Sequence, residues 1–489
     1  MKKSVFIVAL VLFTILAIGN TAIAGQKGGT STPTTATYAG IALFALALVR
    51  IGAPSRRTAA PPLQQHPCQA LADLVDGVSL LAYRGGQAMT RWWGGILLFA
   101  LLTSLALMPD AAAQQPVDVT VNCSSRHSIT HVLQTVSGSP LTITVRGTCH
   151  ENVTITRNDV TLRGAAPGSG ITGPDATLNT ITIISAQRVM LDNLTVSGGS
   201  NGVMGWGGAA FTVKNSTIQN TGANGIVVRS NSRAWIESNT VTGNASSGIV
   251  VRGSSNGSII NNTVQSNTTF GIVISEGSSA RIGVTEGGTA AGNLIEGSGA
   301  DGISVSFTSS AILYGNTIQH NGLSGGYEGI SVTLHSTLAL LGLNTITANT
   351  GPGIFLRSSS LRTGRMGGWT ITPNTNEISN NIGGGIDATQ NSLLDLRDGL
   401  TITNNQSSPN WFSFGLSLDQ GSRLRISDTT VTGNARGGIL LSMASTAVFR
   451  GGNNISANTG YDLQCQNGAG SSYSGGNLPP NTDPSCTPF

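Results

Sequence analysis

Charge is scarce in this chain. Asp, Glu, Lys and Arg together make up 10% of its 489 residues, and aromatic residues make up 5%. Low charge with β-branched residues at regular intervals does not suit disorder. The long C-terminal part has no helical periodicity, which excludes tetratricopeptide and HEAT arrays, and it lacks the leucine spacing of leucine-rich repeats. The apolar stretches near the N-terminus fall short of the ~20 residues a membrane-spanning helix needs. No Cys-x-x-Cys or Cys/His spacing is present, so neither a metal nor a cofactor is expected. The formal charge of +4 is misleading. Eight basic residues (Lys2, Lys3, Lys27, Arg50, Arg56, Arg57, Arg84, Arg91) and three acidic ones (Asp73, Asp76, Asp110) precede Gln114, so 26 and 22 fall to 18 and 19 for the remainder. A near-neutral chain lacks the basic footprint of a nucleic-acid binder.

What the chain does have is a repeat. Asn-Thr-Ile/Val-x-x-Asn, a short gap and Gly-Ile-x-Val recur from about Asn193 to Asn458. Examples are Asn239-Thr-Val-Thr-Gly-Asn244 with Gly248-Ile-Val-Val-Arg252, and Asn262-Thr-Val-Gln-Ser-Asn267 with Gly271-Ile-Val-Ile. The apolar residue after Asn-Thr falls at 218, 241, 264, 295, 318, 346, 378, 402, 431 and 455. The steps range from 23 to 32, the longer ones carrying insertions. Apolar residues alternate within each copy, which is the period of a strand. Such short strands bury their apolar face only by stacking coil on coil, at ~4.8 Å per turn. The spacing therefore predicts about ten coils, with Asn244, Asn267, Asn321, Asn349, Asn381, Asn405, Asn434 and Asn458 stacked at a corner. There they would take the left-handed backbone and hydrogen-bond along the axis. N-glycosylation at the Asn-x-Ser/Thr triplets is the rival reading of these asparagines.

With this repeat the chain resembles the right-handed parallel β-helix repeat proteins of pectin-lyase-like architecture, from roughly Val117 to the C-terminus. The resemblance implies an all-β, single-stranded right-handed parallel β-helix. Many activities share this fold, so it implies no single chemistry. Apolar residues at helical spacing (Ile129, Val132, Leu133, Val136) predict a short N-terminal capping helix. The opening from Val145-Arg-Gly-Thr-Cys149 to Glu151-Asn-Val-Thr-Ile155 is similar to the entry coil of many secreted β-helix proteins.

The expected organisation is a leader or over-extended start over 1–88 and a signal peptide over 89–113. An N-terminal cap and first coil over 114–163, coils over 164–458 and a C-terminal cap over 459–489 follow. Both Met1–Ala24 and Met89–Ala113 carry the charged, apolar, small-residue plan of a secretion signal; a two-segment membrane anchor is the alternative. Removing Cys68 with the leader leaves four cysteines. Two flank the start of the repeat and two follow its end, which predicts Cys123–Cys149 and Cys465–Cys486 in an oxidising compartment.

The known active-site motifs of the fold are absent. There is no Arg-x-Pro-x-x-Arg and no Asp-Pro-His-Asp, and Asn481-Thr-Asp483 in the tail is the only trace of the polygalacturonase set. Candidate sites come instead from the outward positions of the Gly-Ile-x-Val-x strand. Arg229 and Arg252 stack on adjacent turns, where they can grip an acidic or sulfated sugar or lie splayed in solvent. Arg357, Asp387 and Asp419 fall on three successive turns. Asp387 and Asp419, one turn and one column apart, are about 8 Å from each other, a separation suited to acid/base work at a glycosidic bond. His335 is a further proton carrier. The alternative is a solvated ion-pair surface. Two insertions before the inward residue bring Tyr327, Trp411 and Phe412 onto this side, either to stack on sugar rings or to tuck their own loops down. The expected function is engagement of an extracellular polysaccharide along the outer sheet by a monomeric secreted or periplasmic protein that does not span the membrane. Degradation or modification of acidic glycans goes with it as a lyase, hydrolase or epimerase. The rival is a non-catalytic, adhesin-like surface protein.

Overall fold

Each repeat folds into one turn of three short strands, and every turn lies parallel on the last. The computed structural model describes residues 116–125, 127–364, 375–408, 413–466, 471–475 and 478–488. Three parallel sheets run the length of the stack. One has sixteen strands and the other two have thirteen each. One thirteen-stranded sheet carries the Asn-Thr positions, from Thr148–His150 to Asn454–Ser456, and the other carries the Gly-Ile strands, from Val153–Ile155 to Leu463–Cys465. We call these the Asn-Thr sheet and the Gly-Ile sheet, and the sixteen-stranded one the long sheet. The stack thus has thirteen turns in each shorter sheet where the ruler counted ten. The three extra turns put Cys149, Ile171 and Val196 at the ruler position, in register with Ile218, without the Asn-Thr signature ahead of them.

The inward residues of the three sheets fill one continuous core. Ile218, Val241, Val264, Ile295 and their successors are fully buried. The helix Ile129–Thr135 forms as the apolar spacing predicts, with Ile129 and Val132 buried in that core. Its free N–H groups are met by a carboxylate and the cap residue: Glu151 accepts from the Ile129 and Thr130 amides and from both the Ser128 and Thr130 hydroxyls, and Ser128 Oγ accepts from the His131 amide, which suits the positive end of a helix. Disulfides Cys123–Cys149 and Cys465–Cys486 form, with Cα–Cα distances of 4.7 and 5.0 Å. Among the described residues no helix is long and apolar enough to cross a membrane.

The asparagine stack exists, with one correction. Asn321, Asn349, Asn381, Asn405, Asn434 and Asn458 pass hydrogen bonds Nδ2 to Oδ1 at 2.9–3.1 Å. The left-handed residue, however, is the one before each: His320, Ala348, Asn380, Asn404, Gly433 and Ala457 have φ between 53° and 67°. The turn is made one step early so that the ladder amide can point inward, where it also serves strand-end carbonyls such as Ile318 O. A second ladder joins Asn239, Asn262, Asn293, Asn316, Asn344 and Asn376 at the other end of the Asn-Thr strands. At the third corner serines play this part: Ser232, Ser255, Ser278, Ser309, Ser336, Ser359 and Ser392 each donate a backbone N–H to the next serine hydroxyl at 3.1–3.3 Å. The repeat's glycine is required where the chain turns inward. A Cβ on Gly329 would stand 2.7 Å from both Asn349 Nδ2 and Gly353 O.

Asn349→Ala removes both links of a fully buried rung and takes from the Asn321 backbone N–H the Oδ1 that accepts from it, while the Asn321 side-chain amide keeps Ile295 O and Gln319 O. We expect a loss of about 2–4 kcal/mol, read as a lower denaturation midpoint. Thr347→Ala, on a strand position that is not fully buried, should cost far less. Equal losses for the two variants would show that the ladder does not hold the turns.

Candidate active site on the Gly-Ile sheet

The strand alternation that buries the Gly-Ile-x-Val residues sends the residue after Ile, and the one two further on, to the outer face. Register confirms both outward columns. Ser331, Phe355, Asp387 and Ser417 are successive partners in the first, and Arg357 pairs with Thr389 in the second. Asp419, two residues after Ser417, therefore lies one turn and one column from Asp387. The outward column is shielded. Phe355, Asp387 and Asp419 are each 7–8% exposed, so this strip is recessed rather than an open surface, and we call it the trough.

Two acids that the sequence reading missed join them. Asp301 and Glu328 stand directly before the repeat's glycine on consecutive turns, and both are buried. The Glu328 amide donates to Asp301 Oδ1 at 3.3 Å, and the two carboxyls are hydrogen-bonded to each other. Burial drives both upward, Glu328 to about 9 with Asp301 adding to the shift. At neutral pH this pair holds a proton between its members. The position before the glycine is occupied by Asn224, Ser247, Phe270 and Pro352 in other turns, so no column signal marks it. The signal available was narrower, an acid at that one position in two adjacent copies.

Asp387 is pushed up to about 7, first by burial, then by the charges of Asp419 and Glu328, while the Ser417 hydroxyl across from it favours the ionised form. Because Glu328 itself carries a proton at neutral pH, the causes that remain there are burial and Asp419. Asp419 is a hydrogen-bonded acceptor: Ser442 Oγ donates to its Oδ1 at 2.6 Å. One carboxyl poised near neutrality thus sits beside a second that is held by a hydroxyl. Such a pairing of unlike environments divides acid from base.

The other candidates are placed as follows. Arg357 is exposed at the rim, its guanidinium 5.4 Å from the Phe355 ring centre, and its charge reaches Glu328. His335 is exposed at the corner after its strand, and its ring makes no hydrogen bond among the described residues. The structure does not bring it into the acid group. Arg229 and Arg252 stack in direct register on the same sheet, but Arg252 lies six turns before Asp419, roughly 29 Å along the axis at ~4.8 Å per turn. Tyr327 is 43% exposed next to Glu328. Trp411 and Phe412 lie outside the described residues. Their neighbour Phe414 is buried, with Arg436 over its ring at 5.8 Å, so that side chain tucks its loop onto the stack. Among the described residues no three His, Cys, Asp or Glu side chains are grouped to hold a metal.

Comparison with known proteins agrees with this architecture. A family model described as "right handed beta helix region" matches residues 141–286, 281–393 and 329–481. No curated protein matches the chain. Solved structures with a similar fold include a mannuronan C-5 epimerase A-module from Azotobacter vinelandii (12% identity, 71% of this chain and 94% of that one, TM-score 0.36). A periplasmic alginate epimerase (13%, 72% and 82%, 0.41) and the catalytic domain of a GH87 α-1,3-glucanase (14%, 74% and 70%, 0.30) are others. At this identity the likeness concerns fold alone.

The raised carboxyls make stability fall with pH. The folded protein keeps a proton on Asp387 that the unfolded chain releases above its ordinary value of 3.8, so stability is lost between about 4 and about 7. Glu328 extends the loss toward about 9. We expect denaturation midpoints to be lower near pH 9 than near pH 5 by the equivalent of several kcal/mol, at ~1.4 kcal/mol per unit for each group. Asp387→Asn should make the slope shallower below about pH 7, and Glu328→Gln should do so over the whole span up to about 9. A flat profile in the wild type would contradict the protonated trough.

Proposed function

The chain belongs to the right-handed β-helix family, and on that footing we propose that it binds an extended polysaccharide along the outer face of the Gly-Ile sheet and hydrolyses its glycosidic bonds between Asp387 and Asp419. The observation that carries this reading is the unlike pair: Asp387 raised to about 7 beside Asp419, which accepts from Ser442. Asp387 in its protonated form donates to the glycosidic oxygen as the bond to the anomeric carbon breaks. Asp419 takes a proton from the water that attacks that carbon, so each turnover moves one proton from Asp387 to Asp419 and solvent restores both. A separation of about 8 Å leaves room for the water and leads to inversion at the anomeric carbon.

The Asp301–Glu328 pair lies along the same strip. Holding a proton, it presents an O–H donor and acceptor oxygens to sugar hydroxyls without adding full repulsion. Arg357 at the rim and, further along, Arg229 and Arg252 offer guanidiniums to acidic substituents on the same polymer. Tyr327, with Trp411 and Phe412 from the insertion before the Asp419 strand, provides aromatic faces for sugar rings. The two disulfides support folding outside the cytoplasm, and we read the protein as a secreted or periplasmic monomer whose partner is glycan and not nucleic acid.

The test is release of reducing ends from a panel of neutral and acidic polysaccharides by the purified protein. Asp387→Asn and Asp419→Asn are each expected to lower kcat by at least ~100-fold with polymer binding retained. Activity should decline above about pH 7 as Asp387 loses its proton. Binding without turnover in the wild type would favour the adhesin-like reading, and full turnover in the double variant would remove the assignment.

A further inference from the structure

A different sheet carries a second groove, with the opposite charge. On the outer face of the long sheet, Met190, Thr212, Trp235, Ser258, Arg281 and Ile312 are successive partners in one column. They line part of a groove of about 760 Å³. Trp235 is half-buried, and its orientation is fixed because Nε1 donates to Glu237 Oε2 at 2.9 Å. Two turns further on in the same column is Arg281, with only the small Ser258 between them, so the column dips between an indole and a guanidinium. Arg233 flanks Trp235 on its own strand, two residues before it. Arg233 and Arg281 are exposed and have no ion-pair or hydrogen-bond partner among the described residues. A third arginine of the groove, Arg188, is paired with Asp159, and Glu286 is the one acid lining it. The lining charge is therefore positive in a region whose chain is close to neutral.

From this juxtaposition we propose that the Trp235 groove is a binding site for an anionic saccharide, one bearing carboxylate or sulfate groups. The indole presents a flat, oriented face for the C–H side of a sugar ring. Arg233 and Arg281, on either side, meet the acidic substituents by charge-assisted hydrogen bonds. The notch over Ser258 leaves space for the ring. An oligonucleotide would also meet a ring and arginines, but a single-strand site needs aromatic platforms for successive bases, and here Trp235 is the one aromatic side chain in its outward column. This site is separate from the trough on the Gly-Ile sheet and does not depend on hydrolysis there.

The experiment is affinity electrophoresis of the full chain in gels containing polygalacturonate, dextran sulfate or neutral dextran, with oligo(dT) as competitor. Retardation is expected with at least one acidic polymer and not with neutral dextran; which polymer retards it distinguishes carboxylate from sulfate. Trp235→Ala, and separately Arg233→Gln with Arg281→Gln, should weaken that binding at least tenfold while the denaturation midpoint stays close to wild type. Trp235→Ala should leave the release of reducing ends at the Gly-Ile sheet unchanged, which keeps this site distinct from the hydrolytic one. No retardation by either acidic polymer, equal binding of neutral dextran, undiminished binding by the Trp235 and arginine variants, or displacement by oligo(dT) at comparable concentrations would each overturn the proposal.

Discussion

Everything in this molecule depends on hydrogen bonds that run along the stack. At each corner the chain must leave one sheet and enter the next, and the backbone groups exposed there have no strand partner of their own. A buried polar side chain repeated turn after turn supplies that partner, and its own amide or hydroxyl is satisfied by the copy above or below. Buried amides left unpaired would each cost about 1–3 kcal/mol, so a ladder passed from copy to copy removes a penalty that grows with every turn and leaves it only at an end, as at Asn376 Nδ2. The ladder from Asn321 to Asn458 shows how strongly this fixes geometry. Successive rungs are 28, 32, 24, 29 and 24 residues apart, yet the amide contacts stay within 2.9–3.1 Å. Insertions are pushed outward, and even where the long sheet shifts register, between Leu313 and Tyr314, the ladder keeps its spacing.

A fixed register makes a row of buried acids tolerable. Asp301, Glu328, Asp387 and Asp419 are each no more than 8% exposed, a costly place for carboxyl groups. The cost is met in the ordinary ways. Two of them share a proton, one is held near its protonated form, and the fourth takes a hydrogen bond from Ser442. Perturbed, buried ionisable groups gathered on one strip are what the proposed reading of this face rests on. The remaining turns, filled with isoleucine, valine and leucine, hold the strip in place.

The sequence disclosed the fold to the extent that inward positions demand apolar residues and corners demand asparagine. Ile218 through Ile455 could be read as a ruler because a β-branched residue at each step is improbable without a common place in space. The first three turns escaped that reading because Gly147, Ser169 and Leu194 stand where later turns have Asn at the ladder position, although Cys149, Ile171 and Val196 still point inward. The serine ladder was equally hidden, since serine is common at turns and marks nothing by itself. Asp387 and Asp419 were legible through column counting. Asp301 and Glu328 were not, because they sit in a corner whose composition varies freely, and only the folded path brings them toward the strip. His335 follows an outward column in sequence and lies exposed at the corner after its strand.

The placement of cations follows from the same chemistry. A guanidinium within ~4–6 Å of Asp387 would favour its ionised form and pull its pKa down, removing the proton that an acid at that position must hold. Arg357 stands at the rim against Phe355, and its charge acts on Glu328. Asp387 counts no arginine among the causes of its shift. Arg233 and Arg281 are on another sheet altogether. A scaffold whose faces are set by residue position alone can therefore keep a protonated carboxyl on one sheet and unpaired guanidiniums on another. The two act on their surroundings independently because neither lies within reach of the other's field at physiological salt, where screening operates over ~8 Å.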